Sequence, residues 1–221
     1  MLRSRALRLP PPPGDVSGSC GQGRPLQLLA LGDSIIAGIG ASEKEHTLPV
    51  QFAFYLSKTL KRQVNWHALG ENGARLKHVL ARIDSLGKTT PADLILISIG
   101  VNNVTGLTSL NQWKAQLRQL IAVLNNRWPG ALVLFCGLPP MRLFPLPPQP
   151  LRFTLGLRAE ALDRAAQALL GSQERMVHIP TEINPEEHEF CPDGFHPSIA
   201  SYAIWGEGLA DRIVELKLRI P

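Results

Sequence analysis

From residue 26 onward, short apolar runs rich in Leu, Ile and Val alternate with longer stretches whose apolar residues recur at intervals of three and four. That alternation predicts strands separated by helices, packed around a parallel sheet. The runs LQLLAL (residues 26 to 31), QVNWHAL (63 to 69), ADLILISIG (92 to 100), ALVLFCGL (131 to 138) and the short RMVHIP (175 to 180) read as strands. The third is apolar almost throughout, as expected of a central strand covered on both faces. Between them, Leu48, Phe52, Tyr55, Leu56 and Leu60 fall on one helical face, as do Leu76, Val79, Leu80 and Ile83, and then Trp113, Leu117, Leu120, Ile121 and Leu124. LRFTLGLRAEALDRAAQALL reads as a further helix, and SIASYAIWGEGLADRIVEL as the last, opened by Ser198 as N-cap. The expected product is an α/β fold, a three-layer α/β/α sandwich with about five parallel strands.

Composition narrows the class. The 221 residues suit one α/β domain, and 44% hydrophobic against 19% charged residues, with 19 Gly and 19 Pro, describes a globular chain rich in loops. The net charge of +5 raises the possibility of nucleic-acid binding, but Arg3, Arg5, Arg8 and Arg24 near the N-terminus carry much of it, so the body is close to neutral and no nucleic-acid partner is implied. Residues 1 to 25, with Pro10 to Pro13 followed by a Gly/Ser stretch, read as a flexible tail, and residues 26 to 221 as the folded domain. The tail has arginines but no apolar signal-peptide core, so it is either a disordered end or a linker to an anchor upstream. No apolar run is long enough to span a membrane. The compartment stays open: cytoplasmic, or periplasmic and cell-envelope if an upstream signal or anchor exists. Cys20, Cys136 and Cys191 lack zinc-type spacing and read as free thiols, one disulfide remaining open for an exported protein.

In parallel sheets ligands bind beyond the carboxyl ends of the strands. Here the first strand runs into Gly32-Asp33-Ser34, the second into GENG (70 to 73) and the third into GVNN (100 to 103). Each alone is an ordinary turn composition. Together they place a serine hydroxyl among glycines and amides, and a serine nucleophile also needs a base and a group to orient it. CPDGFHPS (191 to 198) puts Asp193 and His196 three positions apart just before the last helix, where the carboxylate can reach the imidazole Nδ1 and leave Nε2 for a serine. His46, His67, His78, His178 and His188 lack such a setting and read as surface or core residues.

LALGDSIIAG resembles the first block of the GDSL lipase/acylhydrolase family, also called SGNH hydrolases; GENG resembles the second block, GVNN the third and DGFHPS the fifth, in the family's order. The resemblance runs from residue 26 to about 215 and implies a flavodoxin-like fold and ester hydrolysis through an acyl-enzyme. Carried over, it makes Ser34 the nucleophile, His196 the base and Asp193 its orienting acid. The backbone N–H groups of Ser34 and Gly73 and the side chain of Asn102 become the oxyanion donors, with Asp33 and Gly100 in support. The chain departs from the family in having Asn103 where Asp often follows the third-block Asn, and GDSI in place of GDSL.

The α/β-hydrolase elbow, the P-loop and the dinucleotide-binding glycine pattern are absent. No cofactor or metal is implied, and PEEHEF (185 to 190) reads as a solvated acidic loop. The implied partner is a small-molecule or lipid ester; the oligomeric state is not legible. A carbohydrate O-deacetylase on the same triad and a non-catalytic binding module remain open alternatives. The loop MRLFPLPPQPLRF (141 to 153) either walls an acyl pocket or covers core, while Phe195 and Trp205 read as core or support.

Overall fold

A computed structural model describes residues 9 to 87, 89 to 183 and 190 to 221. A six-stranded sheet is built from β1 (Ser17–Cys20), β2 (Pro25–Gly32), β3 (Gln63–Gly70), β4 (Leu94–Ser98), β5 (Leu132–Cys136) and β6 (Met176–Ile179) in the order β1-β3-β2-β4-β5-β6. All neighbours are parallel except β1 and β3. The helices are α1 (Ser34–Ala37), α2 (Leu48–Leu60), α3 (Leu76–Ser85), α4 (Val101–Thr105), α5 (Leu110–Arg127), α6 (Leu151–Leu170) and α7 (Ile199–Glu215). Short 3-10 turns occupy Lys44–His46 and Met141–Leu143. Among the described residues no helix is long and apolar enough to cross a membrane.

The pleat sorts the apolar runs into two cores. Leu29, Leu31, Ile95, Ile97, Val133 and Phe135 face α3, α5 and α6. Their alternates Leu28, Ala30, Leu94, Leu96, Leu132 and Leu134 face α2 and α7. Side chains of successive strand residues point to opposite faces, so a strand between two helical layers must be apolar at every position. Every residue of β4 is accordingly buried. The layers, the doubly covered strands and the expected helices agree with the sequence pattern, and Ser198 caps α7 by accepting the Ser201 N–H at 3.2 Å.

Two differences follow from physics that the pattern does not carry. Ser17–Cys20, placed by sequence in a flexible tail, pairs antiparallel with β3, Ser17 opposite His67 and Cys20 opposite Val64. That pairing is made by main-chain groups and covers an otherwise open sheet edge, so it needs no hydrophobic alternation. GVNN, read as a turn, becomes the single helical turn α4 after β4 ends at Ser98.

Among the parallel strands the order reverses between β2 and β4, with Gly32 paired to Ser98 at their carboxyl ends. The crevice of an open α/β sheet lies at such a reversal.

Candidate active site

Asp33 follows β2 directly. Its N–H donates to the Ser98 carbonyl at 3.1 Å, and its Oδ1 accepts the Ile35 N–H at 3.1 Å, which caps α1. The carboxylate also accepts from the Gly100 N–H and the Asn102 side chain. Burial pushes its carboxyl up to about 7, against the opposing pull of these hydrogen bonds. Ser34 is the first residue of α1, so the short helix starts at the nucleophile candidate. The early N–H groups of a helix have no intrahelical partner, which leaves main-chain donors at this point for other uses.

Gly100 turns the chain from β4 into α4 at a φ of 140°, and a Cβ there would stand 2.9 Å from the Leu138 side chain. Only glycine meets both conditions. The next residues divide their work. Asn102 reaches Asp33, whereas Asn103 is 1% exposed, accepts the Leu76 N–H at 3.1 Å and donates to Thr108 Oγ1 at 3.1 Å. Asn103 therefore ties α4 to the start of α3. The side chain that departs from the family pattern has a structural function, and its amide supplies both the acceptor and the donor those partners use.

Gly73 lies between β3 and α3 with a φ of 81°, and a Cβ there would meet nothing within 4 Å. The main chain at Gly73 is therefore open to an incoming group.

The segment before α7 is a tight loop. Asp193 Oδ2 accepts from His196 Nδ1 at 2.6 Å, while its Oδ1 accepts the N–H groups of Phe195 and His196 at 2.9 and 3.0 Å. Burial pushes the Asp193 carboxyl up, but the His196 side chain and these backbone donors outweigh it and hold it below the ordinary value. The Cys191 N–H donates to the His196 carbonyl at 2.7 Å, and Cys191 Sγ donates to the Pro197 carbonyl at 3.0 Å. Tyr202, fully buried on α7, donates its hydroxyl to the Ile39 carbonyl at 2.8 Å and so fastens α7 to the loop after α1.

Ser34, Asp33 and His196 share the wall of one cavity of about 260 Å³. Asp193 stands behind His196, Gly100 and Asn102 join the group through Asp33, and Gly73 lies off the cavity wall. Phe195 and Trp205, read from sequence as core or support, lie on the wall, as does Phe144 of the proline-rich loop; Met141 of the same loop is buried in the core. The sequence marks Asn103 only as a departure and Cys191 only as a free thiol, and does not single out Tyr202; Asn103 and Tyr202 hold the main chain of Leu76 and Ile39, far away in sequence. Of the other histidines, His178 is a core residue whose Nε2 lies 2.8 Å from Asp163 Oδ1 and whose ring stacks on Phe135. His188 and residues 185 to 189 lie outside the described residues. Among those described, no cluster of His, Cys, Asp or Glu is arranged to hold a metal.

Comparison with known proteins matches residues 30–204 to the GDSL-like Lipase/Acylhydrolase family. The GDSL-like esterase Rv1075c of Mycobacterium tuberculosis is 29% identical over 207 residues, covering 89% of this chain; the chain spans 65% of that relative's length. Among solved structures, the extracellular lipase of Streptomyces rimosus superposes with a TM-score of 0.63 at 18% identity, covering 85% of this chain and 99% of that one. Axe2, an acetylxylan esterase from Geobacillus stearothermophilus, does so with a TM-score of 0.63 at 18% identity, covering 87% and 95% respectively. At this identity the structural matches speak for the fold.

Proposed function

Because the chain belongs to the GDSL-like Lipase/Acylhydrolase family, we propose that it hydrolyses carboxylic esters, small-molecule or lipid, through an acyl-enzyme on Ser34. The observation that carries this reading is the 2.6 Å contact between His196 Nδ1 and Asp193, with His196 and Ser34 on the wall of one cavity.

The chemistry follows from which atoms are occupied. Asp193 takes the Nδ1–H of His196, so Nε2 is the ring nitrogen left to remove the Ser34 hydroxyl proton. Ser34 Oγ then attacks the ester carbonyl, and Asp193 stabilises the imidazolium that forms. The tetrahedral oxyanion is held by the N–H groups of Ser34 and Gly73 and by the Asn102 amide. Asn102 Nδ2 has two hydrogens; one serves Asp33, which fixes the plane of the amide and aims the other at the oxyanion. Collapse expels the alcohol, which takes the proton from His196. Water, activated by the same histidine, then releases the acid and restores Ser34. Preformed donors of this kind are among the largest contributions to such catalysis, because they need no reorganisation as charge develops.

Hydrolysis of p-nitrophenyl acetate tests the reading. The protein is expected to turn it over, and Ser34→Ala to lose roughly 10⁴-fold or more in kcat. Retention of most activity by Ser34→Ala would refute the assignment, and a protein that only binds ligands would hydrolyse nothing in either form.

A further inference from the structure

Asp193 orients the His196 ring within one short loop, but Ser34 stands far earlier in the chain, on the four-residue helix α1. A helix of one turn does not hold its own place. At its far end α1 closes with two main-chain bonds, from the Gly38 N–H to the Ile35 carbonyl at 3.1 Å and from the Ile39 N–H to the Ser34 carbonyl at 2.9 Å. Paired bonds of this kind satisfy the last carbonyls of a helix, and here they make Ile39 an extension of the Ser34 backbone. Ile39 is fully buried, and its own carbonyl accepts the Tyr202 hydroxyl at 2.8 Å. Tyr202 lies in the first turn of α7, directly after the histidine loop, with its N–H bonded to the Ser198 carbonyl at 3.0 Å. The Ser34 carbonyl, Ile39 and the Tyr202 hydroxyl thus connect the nucleophile to the element that carries the base.

The next residue closes the same joint. Gly40 lies so near the histidine loop that a Cβ there would stand 2.6 Å from Cys191 Sγ, 2.7 Å from the Pro197 carbonyl oxygen and 3.6 Å from His196 Cβ. Packing this close transmits a shift of Ile39 and Gly40 to His196.

The Tyr202 hydroxyl is not needed to fill space. The ring is fully buried, a phenylalanine would occupy the same volume, and a buried hydroxyl costs stability unless it is bonded. The rest of α7 is held by Leu209, Ala210 and Ile213, which share a core with Phe52 and Leu56 of α2. Burial also holds the phenol well above its ordinary pKa, so the hydroxyl remains a donor.

Resting on the ester-hydrolase reading above, we propose that Tyr202 is a positioning residue, whose hydroxyl acts through Ile39 to set Ser34 Oγ opposite His196 Nε2. It touches neither the substrate nor a reacting atom.

Tyr202→Phe tests this, because it removes one oxygen and keeps the ring. Displacing reacting groups by about 1 Å can cost about 10²-fold in rate. The kcat for p-nitrophenyl acetate, per folded molecule as fixed by urea denaturation, should therefore fall roughly 10- to 100-fold with KM little changed. Fluorophosphonate labelling of Ser34 should slow by the same factor. In a His196→Ala background that factor should disappear, since a serine without its base gains nothing from being placed against it. A lower unfolding midpoint with unchanged kcat, or an equal loss with and without His196, would overturn the proposal. A further readout needs no turnover: in NMR of the His196 ring nitrogens, Tyr202→Phe should move the Nε2 signal in the direction that Ser34→Ala moves it. That movement in a protein that hydrolyses no ester would keep the positioning and reject the Ser34 chemistry. Hydrolysis with a His196 signal unmoved by Tyr202→Phe would overturn the positioning and leave the chemistry standing.

Discussion

Burial of Asp33 couples its titration to the stability of the fold, and the coupling is measurable. Asp33 is 2% exposed, and burial raises the pKa of its carboxyl from 3.8 to about 7. Between those values the folded protein binds a proton that the unfolded chain has released, so stability falls as pH rises through the window. The full shift corresponds to about 4 kcal/mol, at about 1.4 kcal/mol per pKa unit. Integrated from pH 5 to 8, the loss is about 2.5 kcal/mol. Asp33→Asn removes the titration but keeps an N-cap side chain that can accept the Ile35 N–H. It carries a constant cost of its own, because an NH₂ group would face the donors of Gly100 and Asn102. The readout is therefore the difference between the two proteins as a function of pH, in which that constant and every other titrating group cancel. Urea denaturation at intervals from pH 5 to 8 should show the native protein losing about 2.5 kcal/mol relative to Asp33→Asn. Parallel curves would show that Asp33 does not titrate in this window, and the burial argument would be wrong.

Asn102→Ala should lower kcat for p-nitrophenyl acetate by about 10² to 10³ with little change in KM, since an oxyanion donor acts on the transition state. A rise in KM alone would show that the amide binds substrate rather than the oxyanion. Asn103→Ala leaves the buried Leu76 N–H and Thr108 hydroxyl without their partner; at ~1 to 3 kcal/mol for each such group it should destabilise the fold by about 2 to 6 kcal/mol in urea denaturation. Asn103→Asp keeps an acceptor for Leu76 and should cost less, so equal losses in both variants would argue against the hydrogen-bond account.

The order of strands and helices was legible because burial on both faces writes itself into composition: LILI of β4 has no polar position before the strand's last residue, Ser98. The edge strand Ser17–Cys20 was not, because its pairing depends on main-chain groups that every sequence possesses. The site divides in the same way. Asp193 and His196 meet across three residues, a distance that a local motif can encode. Asn103 holds Leu76 from 27 positions away, and Tyr202 reaches Ile39 across 163. Phe195 and Trp205, read as core or support, pack against the two cores and also lie on the cavity wall. An apolar side chain on an amphipathic helix or loop looks the same in sequence whether or not it also lines a cavity.

The central claim is that Ser34 is the atom that attacks, activated by His196. Labelling with a fluorophosphonate, followed by peptide mass mapping, tests it directly, because the reagent forms a stable bond to an activated serine. The account predicts a single adduct on the peptide containing Ser34, formed far more slowly in His196→Ala and absent in Ser34→Ala. An adduct on another residue, or labelling of Ser34 at an unchanged rate in His196→Ala, would contradict it.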